Sequence, residues 1–229
     1  MNLALQVARS ERAALCDALA EAGPDAPTGC TGWTTADLAA HLVVRETRAD
    51  TWPGLVLPPL ASYTERVRRK TARTETFERL VERLREGPPR FSPYALPGGD
   101  GIFNLVEFFV HHEDVRRLRP EWAPRSLEPA TEEVLWRKMK IARFVMRNSP
   151  VEVTLVRPDG RSRLVTRGRV RGGARGGPSG GKRRAGAVRV HGPVPELLLW
   201  TLGRTHLARV RLTGPPEAVK TLTETGWNL

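Results

Sequence analysis

Five histidines are spread over 229 residues, and one short stretch holds two of them beside acids. In NLVEFFVHHED, residues 104–114, Glu107 and His111 are four positions apart, so on a helix their side chains lie one turn apart on the same face. Asp114 continues that face three residues on. Val106, Phe108, Phe109 and Val110 flank Glu107, surroundings in which an unpaired carboxylate is costly. His41 lies in DLAAHLVVRE, a segment apolar nearly all round, and its imidazole also needs a partner. Two imidazoles and one carboxylate with an open fourth position are the donor set of catalytic zinc and of some other divalent ions. The residues alone leave two readings open. One is a divalent cation held by His41, Glu107 and His111. The other is a core histidine bonded to a backbone carbonyl and a surface Glu/His pair with His112 outward. His112 is the rival to His111, turned about 100° away on the helix.

The elements that must position these residues are helical up to about residue 150. Leu3, Val7, Leu15 and Leu19 recur at near-helical spacing before the breaker run AGPDAPTG. A second helix begins at Thr34, whose hydroxyl can accept from the Asp37 backbone N–H while the Asp37 carboxylate answers back. Trp33 and Leu38 are placed as a hydrophobic staple. This helix runs to about Asp50. A third is expected from Pro59 to Glu86, with Leu60, Val67, Leu80 and Leu84 on its buried side. After the long loop GPPRFSPYALPGGDG come a fourth helix, Asn104 to Arg119, and a fifth, Pro129 to Arg147, which Pro150 closes. Residues 1–149 thus read as an up-and-down helical bundle.

Beyond Pro150 the period changes to that of strands. VEVTLVRP alternates, Asp159-Gly160 is a hairpin turn before RSRLVTRGRV, and AVRVHG is a further strand. PVPELLLWTLG is a short apolar helix with proline at its start, HLARVRLTG a last strand, and PPEAVKTLTETG a last helix ended by Gly226. Residues 150–229 are therefore expected to form a small α+β domain with a mostly antiparallel sheet.

The net charge of +12 suggests nucleic acid until it is mapped. From Arg157 to Arg189 the chain holds 11 basic residues against the single acid Asp159, and so carries nearly all of the excess. The same stretch contains GGARGGPSGG, within a Gly/Arg-rich loop at about 171–186 too poor in apolar side chains to pack. A flexible basic loop accounts for the charge without a nucleic-acid-binding fold. No apolar run reaches the ~18–20 residues that span a bilayer, and MNLALQVARSERAAL lacks the unbroken apolar core of a secretory leader. Two cysteines cannot build a disulfide framework or a four-thiolate zinc site. Cys16 reads as a small buried hydrophobe, and Cys30 as a residue beside the GWT turn that could approach the start of the second helix but is not placed among the ligands. His191 and His206 read as turn and loop residues. A cytoplasmic location fits.

GWTTADLAAHLVVRE followed by EFFVHHEDVRR resembles the actinobacterial, metal-binding branch of the mycothiol-dependent maleylpyruvate isomerase superfamily, whose N-terminal domain is DinB-like. VRPDG, the glycine-rich loop and HGPVPELLLWTLGR resemble the C-terminal α+β domain of that group. The resemblance implies a His, Glu, His metal site that maps onto His41, Glu107 and His111, with zinc the first choice of cation. It also implies an open position serving the low-molecular-weight thiol mycothiol, or a water. In an isomerase of this kind the thiolate adds to a conjugated double bond, allows rotation and leaves. An arginine of the second domain would hold the carboxylate of a small anionic substrate, and Arg204 is the candidate; its other reading is a helix C-terminal arginine that answers the dipole. The competing expectation is a metal-binding accessory or regulatory protein without turnover, in which Asp114 or His112 closes the fourth position.

Six of the ten residues from Gly172 to Gly181 are glycine. Deleting this segment is expected to leave the thermal unfolding transition in place, and a deletion variant without a cooperative transition would contradict a non-packing loop.

Overall fold

The computed structural model describes residues 2–51, 58–90, 92, 94, 104–168 and 186–225. The Gly/Arg-rich loop up to residue 185, most of the loop after Gly87 and the stop at Gly226 lie outside them. The chain divides into two compact units, Met1–Ser126 and Leu127–Leu229. None of the described helices is long and apolar enough to cross a membrane.

The first unit is helical. Helix α1, Leu3–Ala22, starts where the Asn2 side chain accepts from the Ala4 backbone N–H at 3.0 Å, and it stops at Gly23, whose φ of +76° suits a residue without a Cβ. Helix α2, Thr35–Thr47, carries the expected capping box. The Thr34 hydroxyl accepts from the Asp37 N–H at 3.3 Å, and the Asp37 carboxylate accepts from the Thr34 N–H at 3.1 Å.

The expected single helix over 59–86 is two, α3 at Pro58–Thr74 and α4 at Phe77–Glu86. Thr76 is extended and its hydroxyl accepts from the Arg79 N–H at 3.3 Å, so a new N-cap interrupts the helical run. The break lets Leu80 and Leu84 reach the core, whereas Leu60 is exposed and Val67 only half-buried. Helix α5, Leu105–Arg116, completes the unit and packs along α1. Leu15, Leu19, Leu38, Leu42, Leu80, Leu84 and Phe108 form a closed core, against which the half-buried Trp33 rests.

The fifth expected helix lies in the second compact unit, Leu127–Leu229. It is α6, Pro129–Lys138, followed by a 3-10 turn over Met139–Ile141 and the short α7, Ala142–Val145. Its allegiance has a physical cause. Trp136 of α6 lies under the guanidinium groups of Arg157 and Arg163, at 5.5 and 4.8 Å from the ring centroid.

Strands β1 (Glu152–Val156), β2 (Ser162–Arg167), β3 (Ala187–His191) and β4 (Arg211–Thr213) form one sheet in the order β2-β1-β3-β4. Strand β1 pairs antiparallel with β2 across the expected turn, where Gly160 has φ +82°. It pairs parallel with β3, which in turn pairs antiparallel with β4. The sheet is thus mixed and not mostly antiparallel. The long connection after β2 carries β3 to the far side of β1, where it runs in the same direction as β1; short links would have continued the meander. Helices α8, Val194–Thr201, and α9, Pro216–Glu224, each have proline in the first turn.

The capping box fixes the start of the helix that carries His41. Thr34→Ala is expected to cost about 1 kcal/mol of stability, read as a lowered urea midpoint with an unchanged slope.

Candidate metal centre

Helices α2 and α5 bring His41, Glu107 and His111 together. His41 Nε2 is 3.4 Å and His111 Nε2 3.3 Å from the same Glu107 oxygen, Oε1. One donor atom from each residue lies within 4.8 Å of the other two, and the two imidazole rings meet edge-on with centroids 5.5 Å apart. The i,i+4 spacing on α5 supplies Glu107 and His111, and α2 delivers His41 from the facing helix. The trio is buried to one side only. The His111 side chain is 7% exposed, against 16% for His41 and 28% for Glu107, so the cluster opens past Glu107.

Asp114 stands behind His111. Its Oδ2 is 2.8 Å from His111 Nδ1, and its side chain is fully buried. A carboxylate acceptor fixes a proton on Nδ1 and turns Nε2 toward Glu107 and His41, the arrangement that orients metal-binding imidazoles. Asp114 therefore faces the other ring nitrogen and not the point where the trio converges. His112 turns the other way, with Nδ1 2.9 Å from Glu11 Oε2. Glu11 is also bound by Arg125 at 3.0 Å.

Charge is balanced from behind. Arg45, one turn beyond His41 on α2, has Nε 3.5 Å from Glu107 Oε1 and lies over the Tyr94 ring. Its Nη1 donates to the Asn104 side-chain oxygen, while Asn104 Nδ2 donates to Glu46 Oε1 at 2.9 Å. Arg12 clamps Glu46 with two hydrogen bonds of 2.8 and 2.6 Å, a bidentate pair.

These contacts set the ionisation. Burial opposes the charged form of Glu107, yet the Arg45 charge and the hydrogen bonds to His111 and His41 hold its carboxyl well below the ordinary value. Burial likewise opposes a charged His111, but Asp114, Cys30 and Glu107 raise it well above the ordinary histidine value. Burial lowers His41 despite its bond to Glu107. The donor set fits a divalent cation: a neutral imidazole, an ionised carboxylate, and a second imidazole whose Nε2 proton points at the place a cation would take.

Spacing points to His41, Glu107 and His111 but not to the residues that hold them in place. Arg45 was legible only as the residue one turn beyond His41, and nothing in its spacing announces Glu107. Cys30, read as a turn residue, has Sγ 3.3 Å from Asp114 Oδ2. Trp33, read as a staple, also packs its ring on His41 at 5.1 Å between centroids. Arg204 lies in the second unit just after α8, with Nη1 donating to the Leu202 carbonyl at 2.8 Å. His191 meets the Thr213 hydroxyl at 2.9 Å. Cys16 is fully buried, and burial pushes its thiol up to about 11.

In the metal-free protein the raised value of His111 fixes a sign. Its charged contact with Asp114 contributes stability in full below the ordinary value of 6.5, and that contribution is lost as pH rises through the raised value. Asp114→Asn is therefore expected to cost about 2 kcal/mol near pH 6 and less in alkali. Urea unfolding across this range tests it, and an equal cost at both ends would contradict the assignment.

Residues 5–96 match a family described as the mycothiol maleylpyruvate isomerase N-terminal domain. The match takes in Cys30, Trp33 and His41 and ends before Glu107 and His111. No curated protein and no solved structure matches the chain.

Proposed function

From the premise that residues 5–96 belong to the mycothiol maleylpyruvate isomerase N-terminal domain family, we propose that His41, Glu107 and His111 hold one divalent cation, zinc before others, in a thiol-dependent isomerase or transferase. The observation that carries this reading is the convergence of two Nε2 atoms and one carboxylate oxygen within 4.8 Å, with a separate acid orienting one of the rings. A bound cation would favour the thiolate of a mycothiol-type cofactor over its thiol and so provide a nucleophile at neutral pH.

The chain's own groups have defined parts. Asp114 keeps the His111 proton on Nδ1 and holds the ring in place. Arg45 keeps Glu107 ionised and limits its swing. Burial keeps His41 neutral and able to donate a lone pair. The exposed flank of Glu107 is the side from which a thiol and a small anionic substrate would arrive. Arg204 is the proposed holder of the substrate carboxylate, a task suited to the planar fork of a guanidinium. Cys16 and Cys30 are not joined in a disulfide, in keeping with work in a reducing cytoplasm. A closed site in a non-catalytic accessory protein is less well supported, because Asp114 is engaged at Nδ1 and His112 at Glu11.

Elemental analysis is expected to find one divalent cation per chain in the purified protein and none in a Glu107→Ala, His111→Ala double variant. Stoichiometric metal in that variant would overturn the assignment. In calorimetry, mycothiol is expected to bind the metal-loaded protein and not the stripped one. Arg204→Lys should lower turnover while leaving the metal content unchanged, and equal thiol binding to both forms would leave the accessory reading.

A further inference from the structure

Cys30 lies outside the donor set described above, yet it is built into place. Its turn is closed by the Trp33 N–H donating to the Cys30 carbonyl at 2.9 Å and by the Thr28 hydroxyl donating to the Trp33 carbonyl at 3.0 Å. Gly32 supplies the positive φ, +78°, that the turn requires. The Gly29 N–H then fastens the turn to α5 by donating to the Asp114 backbone carbonyl at 2.8 Å. As a result Cys30 Sγ sits 3.3 Å from Asp114 Oδ2 and 3.9 Å from His111 Nδ1, while those two atoms are 2.8 Å apart.

Donor atoms around a tetrahedral cation with metal–sulfur and metal–nitrogen or –oxygen bonds of about 2.3 and 2.0–2.2 Å lie about 3.3–3.6 Å from one another. Sulfur already stands near that spacing from both partners. The Asp114–His111 contact needs to open by about half an ångström, which is the change expected when a cation replaces the shared proton. The donor types also agree with each other. A thiolate and a carboxylate bring two negative charges to a divalent ion, and the sulfur biases the choice toward thiophilic metals.

We propose that Cys30, His111 through Nδ1, and Asp114 form a second cation site, selective for thiophilic divalent metals and distinct from the one at His111 Nε2. Occupation releases two protons to solvent, one from Cys30 Sγ and one from His111 Nδ1. His111 Nε2 faces Glu107 Oε1 at 3.3 Å on the other side of the ring. A neutral imidazole offers a cation one lone pair, so a thiophilic cation at Nδ1 beside Cys30 competes with a cation at Nε2 beside Glu107. The inference shares His111 with the proposed function but does not require that function to be right.

Cadmium is the probe, titrated into the stripped full-length chain under a non-thiol reductant and followed by thiolate-to-cadmium charge-transfer absorption. The chain has two cysteines, so the Cys16→Ser variant leaves Cys30 as its only thiol. The expected result is a band saturating at one cadmium per chain in wild type, in Cys16→Ser and in Glu107→Gln. It should be lost in Cys30→Ser and at least about tenfold weaker in apparent affinity in Asp114→Asn. Cadmium-loaded wild type should also bind zinc at least about tenfold more weakly than stripped protein. Absence of the band from Cys16→Ser overturns the site whether or not Cys30→Ser folds. A band that vanishes in folded Glu107→Gln overturns the separateness of the two sites. Failure of the proposed function would instead appear as zinc retained by the Glu107→Ala, His111→Ala variant.

Discussion

The first unit is organised around one imidazole held between two carboxylates. His111 Nδ1 faces Asp114 at 2.8 Å and Nε2 faces Glu107 at 3.3 Å, both acids lying on the same helical face three and four residues away. A ring with an acceptor at each nitrogen is held against turning over, because a flip would break its contacts with both Asp114 and Glu107. That constraint gives the two nitrogens different surroundings, and it separates His111 from its neighbour His112, whose Nδ1 faces Glu11. Two adjacent histidines thus serve opposite sides of α5 with different chemistry.

Holding an acid in this position has a cost that the bundle meets with further charges. Glu107 depends on Arg45, Arg45 on Asn104, Asn104 on Glu46, and Glu46 on Arg12 of α1. The first three links join α2 to α5 and its N-cap residue, the last joins α2 to α1, and breaking one buried ion pair by removing a single partner costs about 3–5 kcal/mol. The apolar core alone would tolerate small slides of α1 against α5. The polar relay does not, since its hydrogen bonds fail within a few tenths of an ångström, so it sets the register in which the Glu107 oxygen faces His41.

What the sequence discloses follows from the range over which each interaction acts. The Thr34–Asp37 capping box, the Asp159-Gly160 turn and the Glu107/His111 face are interactions within four residues, and all are legible as spacing. The break at Thr76 was hidden because a threonine inside a charged helical run reads equally as helix interior or as cap. The parallel pairing of β1 with β3 depends on where a long connection lands, which no local pattern records. The same holds for Arg45 and Cys30. Their partners lie in α5, far along the chain, and neither residue type is unusual where it stands. Asp114 was visible as a member of the face, yet its position behind the ring, and not beside Glu107, required the rotation of the imidazole to be known.

Asp114 also explains how the site can exist before any cation arrives. Its backbone carbonyl receives the Gly29 N–H and so anchors the turn that leads into α2, while its carboxylate fixes His111 on α5. One residue therefore links the segment that delivers His41 to the helix that carries the other two donors. Metal sites that depend on the ion for assembly have folding energy coupled directly to binding. Here hydrogen bonds hold the three side chains together, so the proposed cation would enter a geometry already formed. The same preorganisation brings Cys30 to the opposite ring nitrogen, because the bond that positions α2 cannot form without drawing the turn, and its thiol, against Asp114.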